Sequence, residues 1–382
     1  MSDKILVVGA GFSGAVVARE LADNGFEVEI IDQRTHVAGN CHTERDNDTN
    51  VMLHVYGPHI FHTDKEKVWD YINKFGDFEA YIHRVKAIYN QQVYSLPINL
   101  HTINQLFGKS MNPNEAKAFV DSLTDKKDQP ENFEEQALSL VGHKIYNAFL
   151  KNYTVKQWGV SPKKLPSAIL KRLPLRFDYN DNYFNHKYQG MPREGYTRIV
   201  EKILDHKNIK LTLGKAYSHN MKSMYAHVFY TGSIDGFYDY KYGLLAYRTL
   251  DFNSETHESD YQGCAVINYC DKNVQYTRIT EHKHFSWWEK HNKTVIYKEV
   301  SRLASKEDIP YYPIRLVDEM KILEQYINLA SKEMNVTFLG RLGTYRYLDM
   351  DAIIDEALNV SDKFVEAKKE NKKMPVFLAK IL

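Results

Sequence analysis

The 382-residue chain is poor in cysteine, with only Cys41, Cys264 and Cys270. Their spacing matches neither a zinc ligand set nor a redox dithiol, and the odd number argues against a disulfide framework, so a reducing cytoplasm fits. Net charge is also lacking. Fifty Lys and Arg stand against 49 Asp and Glu, a formal charge of +1, which removes any general attraction to nucleic acid or anionic membrane. Long apolar runs are missing too: Arg19 and Glu20 interrupt the N-terminal one, so neither a targeting segment nor a membrane span is expected. Fixed-period repeats, low-complexity tracts and flexible linkers are absent. The length suits two or three domains with a substantial core, and the residues after Glu370 are expected to be loose.

What is present begins with an apolar strand, Ile5 to Val8, followed by Gly9-Ala10-Gly11-Phe12-Ser13-Gly14 and a helical stretch from Ala15 to Leu21. In this G-x-G-x-x-G turn Gly9 permits the tight bend, Gly11 lets backbone approach phosphates, and Gly14 lets helix pack on strand. The helix N-terminus presents unpaired N–H groups to a pyrophosphate. A second apolar strand, Val28 to Ile31, ends at Asp32, about 18 residues past Gly14, the spacing of a ribose-hydroxyl acceptor. Nicotinamide and flavin cofactors share this motif. The continuation through Gln33 and Arg34 to Gly39-Asn40 favours FAD.

Strand-like Val228 to Tyr230 and Val336 to Leu339 complete the same sheet, so the stretches between are insertions. Asp349 is placed to cap a helix whose Met350, Ile353, Ile354, Ala357 and Leu358 share one face; it could offer its N-terminus to an anionic group or simply pack on the sheet. Asn112-Pro113 starts a helix, and Leu138, Val141, Ile145 and Phe149 mark another. Residues 81 to 95, 244 to 250, 264 to 269, 276 to 285 and 294 to 300 read as an antiparallel sheet. The fold class is therefore α/β: a Rossmann-like FAD-binding domain (1–78, 191–242 and 318–382) with an inserted helical domain (99–176) and an antiparallel-sheet domain (79–98, 177–190 and 243–317). Tyrosine is abundant, 27 residues, often beside Arg, Asn or Gly, and rings with a polar handle suit a sugar or base site. Glu281-His282-Lys283-His284 invites a metal reading, but H-x-H on a strand reads better as a solvated face, and no metal is assigned.

Tyr56-Gly57-Pro58-His59-Ile60-Phe61-His62, Tyr153 to Gly159, Asn182-Tyr183-Phe184, Tyr276-Thr277-Arg278, Pro310 to Pro313 and Gly340-Arg341-Leu342 with Tyr345 and Tyr347 occur in order along nearly the whole chain. Together they resemble the bacterial UDP-galactopyranose mutases. Two departures are Asp32, where the family more often has Glu, and Ala38, where a second glycine is usual. The resemblance implies an FAD-dependent isomerase, active with reduced flavin, that interconverts UDP-galactopyranose and UDP-galactofuranose for cell-surface polysaccharide. In such an enzyme flavin N5 attacks the anomeric carbon, UDP leaves, an iminium permits ring opening, and the sugar recloses. An external electron donor such as NADPH and a homodimer are also implied.

By the same resemblance Arg172 and Arg278 grip the diphosphate, where forked guanidinium donors suit phosphate oxygens. Taken alone, Arg172 beside Lys171 would be a solvated helix-end charge and Arg278 a strand surface residue. Tyr183, Tyr312 and Tyr347 are implied to hydrogen-bond phosphate, and Phe149, Tyr153, Thr154, Trp158 and Asn268 to contact the uridine; core tyrosine or core phenylalanine is the competing reading. His59, Ile60 and His62 approach the flavin in the family, so either histidine could hold charge or a proton there, or be structural. Phe12, Ser13, Gly340, Arg341, Tyr347, Asp349 and Met350 complete the implied cofactor site. Trp158-Gly159, Ser161-Pro162 and Pro166 look like a loop that closes over substrate with Arg172. A flavin oxidoreductase shares the fold, but no second Rossmann fingerprint or redox cysteine pair is present. A non-catalytic nucleotide-sugar binder, or a mutase preferring the N-acetylated UDP-sugar, fits the same motifs.

Overall fold

The computed structural model describes residues 4–172 and 175–381, and the side chains of Ala168, Lys171, Arg172, Val317 and Asp318 lie outside the described part. Every residue of the strand Ile5–Val8 is buried. Apolar side chains on both faces suit the centre of a parallel sheet covered on each side. The strand sits in a five-stranded, all-parallel sheet ordered Ile209–Leu213, Val28–Asp32, Ile5–Val8, His227–Tyr230, Val336–Phe338. Ile5 and Val7 face the helix Phe12–Asp23, which packs against Gly195–Leu204 and Met350–Lys369. Leu6 and Val8 face the other way, toward Leu323, Tyr326 and Ala330 of the helix Val317–Ala330. These two apolar layers give the Rossmann-like half expected from the sequence.

The second sheet has seven strands in the order Tyr312–Pro313, Tyr247–Glu258, Lys293–Leu303, Arg278–Glu281, Val266–Tyr269, Val85–Tyr89, Gln92–Leu96. One adjacent pair, Val266–Tyr269 with Val85–Tyr89, is parallel, a correction to the antiparallel expectation. The chain joins those strands through the whole helical insertion, and a long crossover allows the parallel sense that a tight hairpin forbids. Two of the strands are also longer than expected, pairing from Arg248↔Leu303 to Glu258↔Lys293.

The insertion is helical for local reasons. Asn112 and Glu115 form a capping box over Pro113–Ser122, with Pro at the start. The helix Phe133–Ile145 is broken at Gly142, whose φ of 69° few side chains tolerate, and a Cβ there would lie 2.4 Å from Leu123 O. A π-turn, Tyr146–Leu150, then leads into Lys151–Trp158, which Gly159 ends in the left-handed conformation. Phe149 and Tyr153 thereby come to lie on the side facing the second sheet, in one cluster with Ala87, Tyr94 and Cys270.

The C-terminal segment is a second correction. Met374 and Ile381 are buried, Thr337 Oγ1 donates to Pro375 O (2.8 Å), Phe338 N–H to Val376 O (2.9 Å), and Arg315 Nη2 to Ile381 O (2.8 Å). Apolar side chains and main-chain bonds at the sheet edge hold a tail that local composition alone leaves unplaced. Deleting residues 375–382 is therefore expected to cost about 3–7 kcal/mol, the burial of one large aliphatic residue plus three hydrogen bonds. A urea midpoint unchanged by the deletion would contradict this.

Candidate functional site

The glycine turn is shaped by contacts no larger residue would allow. A Cβ on Gly9 (φ 102°) would fall 2.1 Å from Thr231 Oγ1, and one on Gly14 would fall 1.9 Å from Gly9 O. Gly11 and Gly39 bring their backbones together, so the turn and the loop after the second strand form one cradle. No side chain caps the helix Phe12–Asp23 and no acidic residue occupies its first turn, which leaves its positive end available to an anion. Asp32 braces this cradle: its carboxylate accepts Ala10 N–H (2.7 Å) and Arg34 N–H (2.9 Å). Gln33 is exposed. Arg34 lies over the Tyr56 ring (4.8 Å) and donates to Asn40 Oδ1 (2.8 Å), while its buried Nη1 has no partner. An orphaned cationic donor beside an open glycine turn fits the polyanion of a dinucleotide.

The last sheet strand delivers a second set of residues to the same end. Gly340 (φ 75°) packs so closely on the first helix that a Cβ would lie 2.6 Å from Ser13 Oγ; Phe12 and Ser13 are buried there. Arg341 donates to Leu348 O (2.5 Å) and Tyr311 O (3.2 Å), and its guanidinium lies over the rings of Tyr347 (4.9 Å) and Tyr312 (5.9 Å), which stack on each other. Asp349 occupies the N-cap position of Met350–Lys369 but its side chain makes no capping bond, a correction to its expected role. Met350 is buried behind it, as is Ile60 in the histidine segment.

His59 Nδ1 lies 2.9 Å from Gly57 O, and because a carbonyl only accepts, this nitrogen carries the proton. Burial, reinforced by Arg341, pushes the His59 pKa down to about 4, so the ring is neutral near pH 7. His62 Nδ1 faces His186 Nδ1 at 2.7 Å and stacks on Phe184 (3.7 Å); burial lowers its pKa as well.

Two cavities meet this region. The larger, about 310 Å³, is lined by Phe149, Tyr153, Thr154, Tyr183 and Asn268, together with apolar side chains that include Leu96 and Leu175. Asn268 Oδ1 is buried on its wall without a partner. The smaller, about 30 Å³, is lined by Asn40, His59, Arg278, Tyr312 and Arg341 with Glu299, Tyr56 and Tyr311. Arg278 bears on both, since its charge reaches Tyr153 and Tyr183 in one and Tyr312 in the other. Burial pushes the Tyr153, Tyr183 and Tyr312 pKa values up, so all three remain phenol donors.

Arg278 and Glu299 lie opposite each other on neighbouring strands, with Nε 3.2 Å from Oε1. Glu299 is almost completely buried and also receives Thr277 Oγ1 (3.3 Å). Burial is the largest influence on Arg278 and opposes its charge, but Glu299 together with Tyr153, Tyr312 and Tyr183 more than offsets it, and the pKa lies well above the usual arginine value. No side-chain hydrogen bond joins Arg278 to a described residue: its Nε is buried without a hydrogen-bond partner, its charge is balanced by the Glu299 ion pair, and the residue lines the smaller cavity. Glu299 was not singled out in the sequence; an acidic residue inside the β-branched run 294–300 was the available signal.

Trp158 ends its helix, partly buried, and lines neither cavity. Arg172 closes the short turn Ser167–Arg172, and its side chain lies outside the described residues. Glu281 and His282 are fully buried and His282–Phe285 is a 3-10 turn, so the solvated strand face expected there is corrected. Asp260, Glu281 and His284 bring ligand-type atoms within 4.8 Å of one another, but the Lys283 ammonium already pairs with Asp260. Among the described residues no helix is long and apolar enough to cross a membrane.

Residues 148–347 match the family model described as UDP-galactopyranose mutase, and residues 7–75 one described as an NAD(P)-binding Rossmann-like domain. The chain is 57% identical over 374 residues to a probable UDP-galactopyranose mutase of Klebsiella pneumoniae, covering 98% of this chain and 97% of that one. It is 51% identical over 376 residues to the dTDP-fucopyranose mutase of Escherichia coli, covering 96% and 100%. Its fold is similar to the crystal structure of a reduced UDP-galactopyranose mutase, with a TM-score of 0.72 at 15% identity over 96% of each chain.

Two predictions rest on this geometry. Removing Glu299 strands the Arg278 charge, so Glu299→Ala should destabilise the fold by about 1.5–3 kcal/mol, and Arg278→Met in the same chain should return part of that. A denaturant double-mutant cycle with no coupling would refute it. Burial also lowers the pKa of His83, His227 and His282 to about 3, as it lowers that of His59 to about 4. The unfolded chain takes up these protons near pH 6.5 and the folded chain does not, so acid favours unfolding. Stability should be level above about pH 7 and decline from about 6.5 toward 4; melting temperatures that rise over that interval would be inconsistent.

Proposed function

The chain belongs to the UDP-galactopyranose mutase family, and from that membership we propose that it interconverts UDP-galactopyranose and UDP-galactofuranose with FAD in its reduced form. The observation that carries the reading is Asn268 Oδ1, orphaned and buried in a ring-lined cavity whose tyrosines feel the charge of Arg278. A base whose N3–H can satisfy that oxygen, followed by a diphosphate that can take unspent guanidinium donors, matches this sequence of chemistries from one cavity to the other.

Residues suited to hold FAD are Gly9, Gly11, Gly14, Ser13, Asp32, Arg34, Gly39 and Asn40 at the pyrophosphate and adenosine end, with Gly340, Arg341, Tyr347 and Asp349 nearer the ring. When bound and reduced, the flavin supplies an electron-rich ring nitrogen suited to attack an anomeric carbon. The protein's own residues do the rest. Phe149 and Tyr153 flank the base and Asn268 reads its edge. Tyr183 and Tyr312 donate to phosphate oxygens, while Arg278, with Arg172, offsets the charge that develops as the diphosphate departs. Neutral His59, with Nδ1 committed to Gly57, keeps Nε2 as a proton acceptor, and His62 serves as a second candidate for holding a proton. The division into FAD-binding, helical and antiparallel-sheet domains belongs to this proposal, with the helical part carrying the substrate lid. So do a cytoplasmic homodimer, an external donor such as NADPH, and a supply of galactofuranose for cell-surface polysaccharide.

A second substrate is favoured by the 51% identity to a dTDP-fucopyranose mutase. Uracil and thymine present the same N3–H to Asn268, so that contact admits either nucleotide. The test is to reduce the purified yellow protein with dithionite, supply UDP-galactofuranose or dTDP-fucofuranose, and separate the products. Pyranose from the first supports the proposal, pyranose only from the second replaces the substrate, and none from either overturns the mutase reading. Arg172→Ala and Arg278→Ala should each lower turnover by about 100- to 1000-fold, the scale of losing one charge-stabilising donor, while flavin absorbance is retained. Normal activity in both variants would remove the diphosphate assignment.

A further inference from the structure

The side chain of Lys156 ends in an enclosure made of main-chain oxygen. Its Nζ lies 2.6 Å from Tyr269 O, 3.1 Å from Val274 O, 3.1 Å from Tyr276 O and 3.2 Å from Asp271 O. An ammonium has three donors, so four convergent carbonyls are more than it can serve by separate hydrogen bonds. It acts on them as a compact sphere of charge, in the manner of a small cation among carbonyl dipoles. All four carbonyls belong to the segment 269–276, which joins the strands Val266–Tyr269 and Arg278–Glu281. Without a cation at the centre, their negative ends would face one another at close range.

The two things this ammonium ties together are the two walls of the nucleotide cavity. Lys156 projects from the helix Lys151–Trp158, which supplies Tyr153 and Thr154. Asn268 immediately precedes the caged segment, and Arg278 follows it after Thr277. Other ties to that segment come from elsewhere: Cys270 N–H donates to Ile88 O (2.9 Å), and the Asp271 carboxylate accepts Asn90 N–H (3.1 Å). Lys156 Nζ is the contact from the helix that converges on the segment's own carbonyls.

We propose that Lys156 is a positioning residue whose ammonium, caged by the carbonyls of Tyr269, Asp271, Val274 and Tyr276, fixes Asn268 and Arg278 against the helix bearing Tyr153 for nucleotide binding. This rests on the mutase reading for the identity of the ligand but not for its physical test, because UDP affinity can be measured without turnover. If the cage works by charge and size, a free cation of similar size will replace the lysine once its side chain is removed.

The experiment titrates UDP into full-length, flavin-loaded protein by calorimetry, comparing wild type with Lys156→Ala in ammonium chloride and in tetramethylammonium chloride at equal ionic strength. The alanine variant should bind UDP about tenfold or more weakly in tetramethylammonium, the scale of one charge-assisted hydrogen bond. Ammonium should recover most of that affinity in the variant and leave wild type unchanged. Unaltered affinity in Lys156→Ala, or a loss equal in both salts, overturns the proposal. Should the alanine variant fail to fold, Lys156→Ser, which also leaves the cage open to a free cation, takes its place with the same expectations; failure of both to fold makes the lysine a requirement of the fold and also overturns it. Wild type that binds UDP yet converts neither sugar nucleotide would count against the mutase reading alone.

Discussion

Arg278 is a cation set into a wall of aromatic rings, and the arrangement around it follows from the need to keep that charge compensated but available. Its partner Glu299 lies directly across the strand pair, and Thr277 gives both its N–H and its hydroxyl to that residue. A buried charge without a counter-charge would neutralise or unfold the region. One carboxylate is enough to hold the guanidinium in place, and the phenols around it remain neutral donors. The smaller cavity therefore presents Arg278 together with Arg341 and the ring hydroxyls of Tyr56, Tyr311 and Tyr312, a set suited to a diphosphate ester.

The glycine cradle and the larger cavity are built from opposite kinds of restraint. In the cradle, side chains are absent: Gly9, Gly14, Gly39 and Gly340 let backbone meet backbone or a neighbouring hydroxyl. In the cavity, side chains are large and fixed by packing, with Tyr94 edge-on to Phe149 (5.0 Å) and Tyr183 against Phe184 (5.1 Å). The sheet strand His227–Tyr230 and the turn at Gly340 connect the first to the parallel sheet, while the pair Arg278–Glu281 and Lys293–Leu303 anchors the second in the other sheet. Arg341 spans the gap by donating to Tyr311 O and lying over Tyr312.

The buried histidines add a quieter constraint. His54, His83 and His282 form contacts with Phe285 in the interior, and desolvation keeps each neutral. Among the residues lining the smaller cavity, positive charge therefore sits on arginine and not on histidine.

The glycine turn, the strand after it, the capped helix at Asn112 and the apolar face of Met350–Lys369 were all legible in the sequence, because each depends on residues within a few positions of one another. The same holds for the Rossmann-like class and, through its ordered motifs, for the family. The parallel pairing of Val85–Tyr89 with Val266–Tyr269, the burial of Glu281 and His282, and the docking of the tail on Phe338 were not legible. Each is decided by what a distant segment places alongside. Glu299 and Lys156 make the point most directly. As letters they are an acidic residue in a strand and a basic residue on a helix, both ordinary surface types. Only strand register puts Glu299 opposite Arg278, and only the packing of helix on hairpin brings four carbonyls around Lys156, since the free energy of burying a charge is set by neighbours that chain order does not name.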